Sequence, residues 1–412
     1  MAKKSQRMVA VVAITALLLV LVIAGQGMAK DALPHKEKLG EALYFDENLS
    51  EPAGQACASC HLPEAGFVDP DWLLPVSEGV IPGLFGGRNS PASAYAMYAP
   101  PFDPEEGTGG QFWDGRATGE VLGDPLADQA LGPFLNPVEM ANTSKAQVIA
   151  DVAASDYAGL FEQVWGPGSL DDVDAAYDQV ALSIAAFERT KLFGQFSSKY
   201  DHYLKSCLKF GGDMNECAKG QGVIAWAIGQ KFFTPTEWAG FELFMNEVND
   251  NNGELEGGEG AACVLCHVAD WTADPGNVVV PKWAPEGLVP PMFTDFTYDN
   301  LGVPINPEVY ELAGGEPPDL GLGDVVGEAE NGKFKVMTLR NIGLTAPYAH
   351  NGFFVDLHHI TNFYNTRDVE GMWDPPEVEA NVNMDELGNL GLSSDQVDDL
   401  VAFMETLSDG WE

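Results

Sequence analysis

Basic residues are scarce in this sequence. Of its 412 residues, 21 are Lys or Arg and 62 are Asp or Glu, so the net charge is −41. A surface this negative repels phosphate groups, which argues against binding to nucleic acid or to an anionic membrane surface. The charge suits a basic protein partner or a saline habitat, and composition does not separate the two. A hydrophobic fraction of 45% suffices for a sizeable core and excludes a disordered chain.

Long apolar runs are absent after residue 24, so the sequence predicts no membrane helix beyond the N-terminus. There, three basic residues precede an apolar run from Met8 to Ala24, and small residues at Gly27 and Ala29 follow. This pattern predicts a secretory signal over residues 1–29, cleaved after Ala29, with an uncleaved anchor as the alternative. We therefore expect a periplasmic protein. A place on the cell surface or at a membrane is expected only if the segment stays uncleaved.

Four of the six cysteines form two copies of the arrangement Cys-x-x-Cys-His, at 57–61 and 263–267. Two cysteines on one helical turn can bond the two vinyl groups of a porphyrin, and the histidine that follows can bind its iron. A disulfide or half a zinc site would explain one copy, but two complete copies in an exported chain favour c-type haem. The sequence predicts two covalent haems c, attached at Cys57, Cys60, Cys263 and Cys266, with His61 and His267 as iron ligands.

Strand-like alternation is also scarce, whereas helix signals are frequent. Helical periodicity occurs at 171–189, a capping box at Thr234 opens a helix from Pro235, and a serine cap opens another at 393–407. The haem motifs lie about 200 residues apart, and Gly and Pro number 45 and 27. We predict a mainly α fold of two cytochrome c-like domains, each around one covalent haem, with long ordered loops. The predicted domains span 30–230 and 231–412.

The remaining two cysteines, Cys207 and Cys217, have no histidine beside them. In an oxidising compartment we expect them to close a short structural disulfide, with a redox role as the alternative.

Several ordered blocks accompany the haem motifs. From about Leu39 to Leu407 the chain resembles the bacterial di-haem cytochrome c peroxidases and, among them, the MauG-like enzymes that oxidise protein tryptophans. Besides the haem motifs, the resemblance rests on the blocks GRNSP (87–91), QFWDGR (111–116), QALGPFLNPVEM (129–140), AAFERT (185–190), TLRN (338–341) and TAPYAHNG (345–352).

The resemblance implies that His61 holds the haem that reacts with peroxide. Glu139 matches the glutamate over the open face of that haem, where cleavage of a peroxide needs a group that moves protons. Gln129 and Pro133 match the other distal positions, and Trp113 matches the tryptophan that stands between the two haems. For an isolated glutamate after a proline, an ordinary carboxylate at a helix start would be the simpler interpretation.

The sixth ligand of the second haem distinguishes the branches of the family. Counting fourteen residues from His350 leads to Tyr364, where the peroxidases carry methionine and the MauG-like members tyrosine. A phenolate favours ferric iron, whereas methionine favours ferrous iron. Ligation by Met372 is the alternative, and Tyr348 fits the register less well.

Two further expectations follow from the resemblance. No histidine lies between His61 and Gln111, so we expect the first haem to be five-coordinate at rest. Asn89, Thr345 and Pro347 match the residues that bind a calcium ion between the haems.

The resemblance implies an enzyme that reacts with hydrogen peroxide at the first haem. The leading hypothesis is a MauG-like oxidase that withdraws electrons from aromatic residues of a partner protein through a high-valent di-haem state. The alternative is a cytochrome c peroxidase that receives electrons from a small cytochrome or cupredoxin. A non-enzymatic electron carrier is the third hypothesis, and Glu139 counts against it.

The loop at 119–125 and the Cys207–Cys217 segment depart from the family pattern, so the identity of the partner does not carry over.

Overall fold

The computed structural model describes residues 34–246, 260–315 and 317–411. The predicted signal at 1–29 lies outside this range. None of the described helices is both long and apolar enough to cross a membrane.

The described chain is mainly helical, as predicted. The helices before residue 197 are α1 (His35–Tyr44), α2 (Cys57–Cys60), α3 (Pro125–Ala130), α4 (Lys145–Ala154), α5 (Ala158–Trp165) and α6 (Val173–Glu188). Those after it are α7 (Lys199–Lys209), α8 (Met214–Ala218), α9 (Gly222–Phe232), α10 (Pro235–Met245), α11 (Pro307–Ala313), α12 (Gly323–Val326), α13 (Leu357–Thr366) and α14 (Ser394–Glu405). Single 3-10 turns occur at Glu47–Leu49, Pro63–Ala65, Ala96–Tyr98, Pro133–Leu135, Cys263–Leu265, Glu328–Glu330 and Ile342–Leu344.

Strands are confined to two small antiparallel ladders within the described residues. In the first, β1 (Thr272–Ala273) pairs with β2 (Leu288–Val289). In the second, β3 (Tyr298–Asp299) pairs with β4 (Phe334–Lys335), and Tyr298 lies opposite Lys335. The second ladder brings the segment after residue 334 against the loop that carries Trp113, because the Lys335 N–H donates to the Trp113 carbonyl over 2.9 Å.

Local signals determine where three of the helices begin. Helix α6 begins after Asp172, whose carboxylate accepts from the Ala175 N–H. Of the predicted apolar face at 173, 177, 180, 184 and 187, the first residue is partly buried and the other four are buried. At α10, Thr234 and Glu237 form the predicted capping box. At α14, Ser393 caps the helix together with Gln396. Such caps satisfy N–H groups that have no partner inside the helix, and all three predicted helices are confirmed.

Two large hydrophobic clusters divide the described chain. The first contains residues from Leu39 to Phe196 together with Val289 and Met292, and the second runs from Tyr200 to Leu407. Helices α7 and α8 therefore pack with the C-terminal cluster although they precede residue 230. The division into 30–230 and 231–412 stays a prediction, and the packing favours a boundary near residue 197.

The predicted disulfide joins Cys207 at the end of α7 to Cys217 in α8. The turn between the two helices passes very close to the sulfur atoms. A Cβ atom at Gly212 would lie 2.5 Å from the Sγ of Cys217 and 2.7 Å from that of Cys207, so only glycine fits there.

A buried ion pair lies where the two clusters meet. Arg340 is 1% exposed, and its Nη1 donates to both carboxylate oxygens of Asp201, at 2.8 and 2.9 Å. Its Nε and Nη2 donate to the Pro291 carbonyl. The guanidinium also lies over the rings of Tyr95 and Phe196 from the first cluster. Arg340 thus contacts both halves of the molecule.

We expect Arg340→Met to destabilise the haem-loaded protein by about 3–5 kcal/mol, because the Asp201 carboxylate would stay buried without its counter-ion. Chemical denaturation followed by circular dichroism measures the loss. Lys145→Met is the matched control, since Lys145 pairs with Asp174 at the surface and such pairs contribute about 0–1 kcal/mol. Equal losses in the two variants would contradict the importance assigned to the buried pair.

Candidate functional site

A cavity of about 490 Å³ lies against the first haem motif. Helix α2, the loops that follow it, α3 and the 3-10 turn after α3 form its walls. The structure brings together here every residue predicted for the peroxide-reacting haem, namely Cys57, Cys60, His61, Trp113, Gln129, Pro133 and Glu139. These residues are up to 82 positions apart in the sequence, so the fold gathers them into one site.

The ring of His61 is oriented as a metal ligand requires. Its Nδ1 lies 3.2 Å from the carbonyl oxygen of Phe67, an acceptor, so this nitrogen carries the ring proton and Nε2 is left for a metal. Burial lowers the pKa of His61, which favours the neutral imidazole that binds metals.

The two cysteines of this motif are unpaired. Burial raises the pKa of both thiols, that of Cys60 to about 12, so they are protonated in the protein chain alone. Two free thiols beside a histidine ring fit the attachment of a haem, and they do not fit a structural disulfide.

Glu139 lines the same cavity, and a residue of its own sequence block holds its carboxyl group. The Asn136 side-chain amide donates to Glu139 Oε1 over 2.6 Å. Burial raises the pKa of Glu139, while this hydrogen bond and the charge of Arg116 lower it. Because Oε1 accepts a hydrogen bond, a proton on this carboxyl group would reside on Oε2.

A second cavity, of about 230 Å³, contains the second haem motif. Cys263 and Cys266 are unpaired, and burial raises the pKa of both thiols. His267 Nδ1 lies 3.0 Å from the Phe293 carbonyl oxygen, so its Nε2 is also left for a metal. Burial lowers the pKa of His267 as it does that of His61. The donor set therefore fits a haem in this cavity too.

The three candidates for the sixth ligand occupy different places. Tyr364 belongs to α13, is partly buried and lines the second cavity. Tyr348 lines it as well, but its hydroxyl donates to the Ile342 carbonyl over 2.7 Å. Met372 is 51% exposed and does not line the cavity. Burial raises the pKa of Tyr364 in the chain alone, so a phenolate there needs a bound cation to stabilise it.

One wall separates the two cavities. Trp113, Asp319 and Lys335 are among the residues that line both. The Trp113 indole N–H donates to the Asn89 carbonyl over 2.8 Å, which fixes the ring in this wall. Trp113 thus lines both cavities, and its role between two haems stays a prediction.

Asn89, Thr345 and Pro347 also come together. All three line the second cavity and a small neighbouring cavity that Asp69, Asp71 and Ser77 border. The side-chain amide of Asn89 donates to the Pro75 carbonyl over 3.1 Å. The three residues predicted to bind calcium therefore line the same small cavity, and the calcium site stays a prediction.

Three charged groups at these cavities have no role in the sequence-based interpretation. Arg88 forms ion pairs with Asp114 and Asp319 beside Trp113.

Glu188 lines the first cavity, and its Oε2 has no hydrogen-bond partner among the described residues. Burial raises the pKa of Glu188 to about 8. Lys335 lies buried in the shared wall. Arg88 and Glu188 belong to the blocks GRNSP and AAFERT on which the family resemblance rests. Asp319 is 231 residues from Arg88, so the sequence does not reveal the ion pair between them.

The four unpaired cysteines of the two motifs predict the haem content of the protein. Cys60→Ala and Cys266→Ala should each remove about half of the covalent haem absorbance, because each motif attaches one haem. Mass spectrometry of the purified protein counts the haems directly. The double variant Cys207→Ser and Cys217→Ser serves as the control and should retain both. A chain that carries one haem or none before mutation would refute the assignment.

Comparison with known proteins agrees with this geometry. The family model described as "Di-haem cytochrome c peroxidase" matches residues 34–208. The chain is 34% identical to the methylamine utilization protein MauG of Paracoccus denitrificans, over 95% of this chain and 94% of that protein. It is 28% identical to the cytochrome c551 peroxidase of Nitrosomonas europaea, over 90% of this chain and 79% of that protein.

Among solved structures, the diheme peroxidase BthA of Burkholderia thailandensis superposes with a TM-score of 0.71 at 29% identity, over 92% of this chain and 86% of that chain. These similarities extend over nearly the whole sequence and include both haem motifs. The chain belongs to the di-haem cytochrome c peroxidase and MauG family, and it is a haem peroxidase-type oxidoreductase with two c-type haems.

Proposed function

We propose that this enzyme reacts with hydrogen peroxide at the first haem and oxidises aromatic residues of a partner protein, as a MauG-like oxidase. The observation that carries the proposal is the place of Tyr364, which lines the second cavity while Met372 lies at the surface. A tyrosine ligand makes the second haem better suited to hold an oxidising equivalent than to accept electrons from a donor.

The haem in the first cavity would supply the peroxide-binding iron and its redox chemistry. The protein supplies the movement of protons. Because Asn136 donates to Oε1, the Oε2 atom of Glu139 is free to accept a proton from peroxide. Glu139 can then return this proton to the leaving oxygen. Gln129 adds an amide to the same wall, and the Pro133 ring adds a rigid apolar surface.

Trp113 would connect the two haems. Its indole ring is fixed by the bond to Asn89 and lines both cavities, so it is the aromatic residue that can mediate electron transfer across the shared wall. Haems held in these two cavities would be bordered by side chains of the fold, and we infer that a macromolecule would not contact either iron directly. Electrons from a docked partner must therefore cross protein side chains.

Asn89, Thr345 and Pro347 would hold a calcium ion beside this wall. A side-chain amide, a hydroxyl and backbone carbonyl groups offer the oxygen atoms that Ca²⁺ prefers. The common cavity of the three residues supports the proposal.

We further propose that the enzyme is exported to the periplasm, on the basis of the N-terminal signal pattern. The net charge of −41 favours a basic protein as its partner.

The alternative is a cytochrome c peroxidase that reduces peroxide with electrons from a small cytochrome or cupredoxin. The similarity to the Nitrosomonas europaea peroxidase favours it. The two functions differ in the resting state. Peroxide added to the ferric MauG-like enzyme should produce a long-lived oxidised state without prior reduction. Fast turnover with a reduced cytochrome, found only after pre-reduction, would support the alternative instead.

Electron paramagnetic resonance of the resting protein tests the ligands. We expect one high-spin ferric signal from the haem of His61, because no described histidine besides His61 lines the first cavity, and one low-spin signal from the haem of His267 and Tyr364. Tyr364→Phe should change only the low-spin species. The control Tyr348→Phe should leave both signals in place. Two low-spin haems in the untreated protein would contradict the open first site.

Glu139→Gln should slow the reaction with peroxide by about 10²–10⁴, because the amide cannot accept the peroxide proton. Stopped-flow absorbance at the haem band measures this rate. The control is Glu120→Gln, since Glu120 is exposed and lies outside the cavity. An unchanged rate in Glu139→Gln would exclude this carboxyl group as the group that moves the protons.

A further inference from the structure

Lys335 is a cation buried in the wall between the two cavities. It belongs to β4, and its side chain is 6% exposed and lines both cavities. Its backbone N–H donates to the Trp113 carbonyl, so the lysine is tied to the residue that would connect the haems.

Within the described part of the chain, no carboxylate forms an ion pair with this ammonium group. Its Nζ donates to the Gly110 carbonyl and lies 5.9 Å from the centre of the Phe296 ring. By contrast, the buried Arg340 pairs with Asp201, and the partly buried Arg88 pairs with Asp114 and Asp319. Burial alone lowers the pKa of Lys335 to about 7. A buried ammonium without a counter-ion is unfavourable, which indicates that an anion missing from the polypeptide completes the site.

We propose that Lys335 binds a propionate carboxylate of haem, in the wall that both cavities share. The inference rests on the proposed placement of the two haems. Each haem carries two propionates, which are the anionic groups that these cavities would acquire with the cofactor. A lysine ammonium has three N–H donors, and Gly110 accepts from one of them. The remaining donors can form charge-assisted hydrogen bonds to a carboxylate.

This pairing would make Lys335 a positioning residue that also tunes the haems. A positive charge beside a haem destabilises the ferric form relative to the ferrous form, because ferric iron carries one more positive charge. Removing the charge should therefore lower the reduction potential. The backbone hydrogen bond between Lys335 and Trp113 would hold the propionate carboxylate at a constant distance from the indole ring.

Three variants of the haem-loaded full chain test the proposal. Lys335→Met keeps the length of the side chain and removes the charge, and Lys335→Arg keeps the charge. Lys333→Met is the matched control, because Lys333 lies two residues away and pairs with Glu330 at the surface. Spectroelectrochemical titration gives the potential of each haem, and mass spectrometry gives the number of haems per chain.

In Lys335→Met, we expect the reduction equilibrium constant of at least one haem to fall about tenfold, which is about 59 mV for one electron. Lys335→Arg should retain most of the original potential, and Lys333→Met all of it. Loss of a haem from Lys335→Met but not from Lys335→Arg would support the same requirement for charge.

Unchanged potentials of both haems in a Lys335→Met protein that carries two haems would overturn the proposal. So would equal effects of the Met and Arg substitutions, which would indicate packing rather than charge. The potentials are measured without peroxide or a partner protein, so they do not depend on the proposed oxidation reaction. A wild-type chain with fewer than two haems would instead overturn the haem placement itself.

Discussion

The buried pair of Arg340 and Asp201 is the interaction on which the arrangement of this molecule depends. The guanidinium joins the capped start of α7 to the Pro291 carbonyl and lies against aromatic rings of the first cluster. A charge at this depth is tolerated only because its partners satisfy it. The pair thereby fixes the segment 335–340, which forms part of the wall between the two cavities.

That wall explains how two haem sites can act as one enzyme. Each cavity has its own Cys-x-x-Cys-His motif and a histidine whose Nδ1 is bound to a backbone carbonyl. Between them stands Trp113, held by the Asn89 carbonyl, with the buried ammonium of Lys335 beside it. Under the proposed function, Trp113 would connect the two sites, and a haem propionate would keep the buried Lys335 charged in the same wall.

The two branches of the family differ at the second cavity. Glu139, Asn136 and Gln129 line the first cavity, and the proton transfer proposed for Glu139 would serve peroxide chemistry in either branch. At the second, a phenol and a thioether have opposite preferences for the oxidation state of iron. Under the proposed function, the side chain of Tyr364 on α13 would determine whether the enzyme stores oxidising equivalents or accepts electrons.

The sequence by itself determined the features that are encoded over a few neighbouring residues. These are the two haem motifs, the helix caps at Thr234 and Ser393, and the block that carries Glu139, because residues close in the chain are held together by local geometry. Tertiary structure alone decided which distant groups meet. Arg340 is 139 residues from Asp201, and Lys335 is 225 from Gly110. The exposure of Met372, the burial of Glu188 and the missing counter-ion of Lys335 also depend on packing between remote segments, and a linear pattern does not specify this packing.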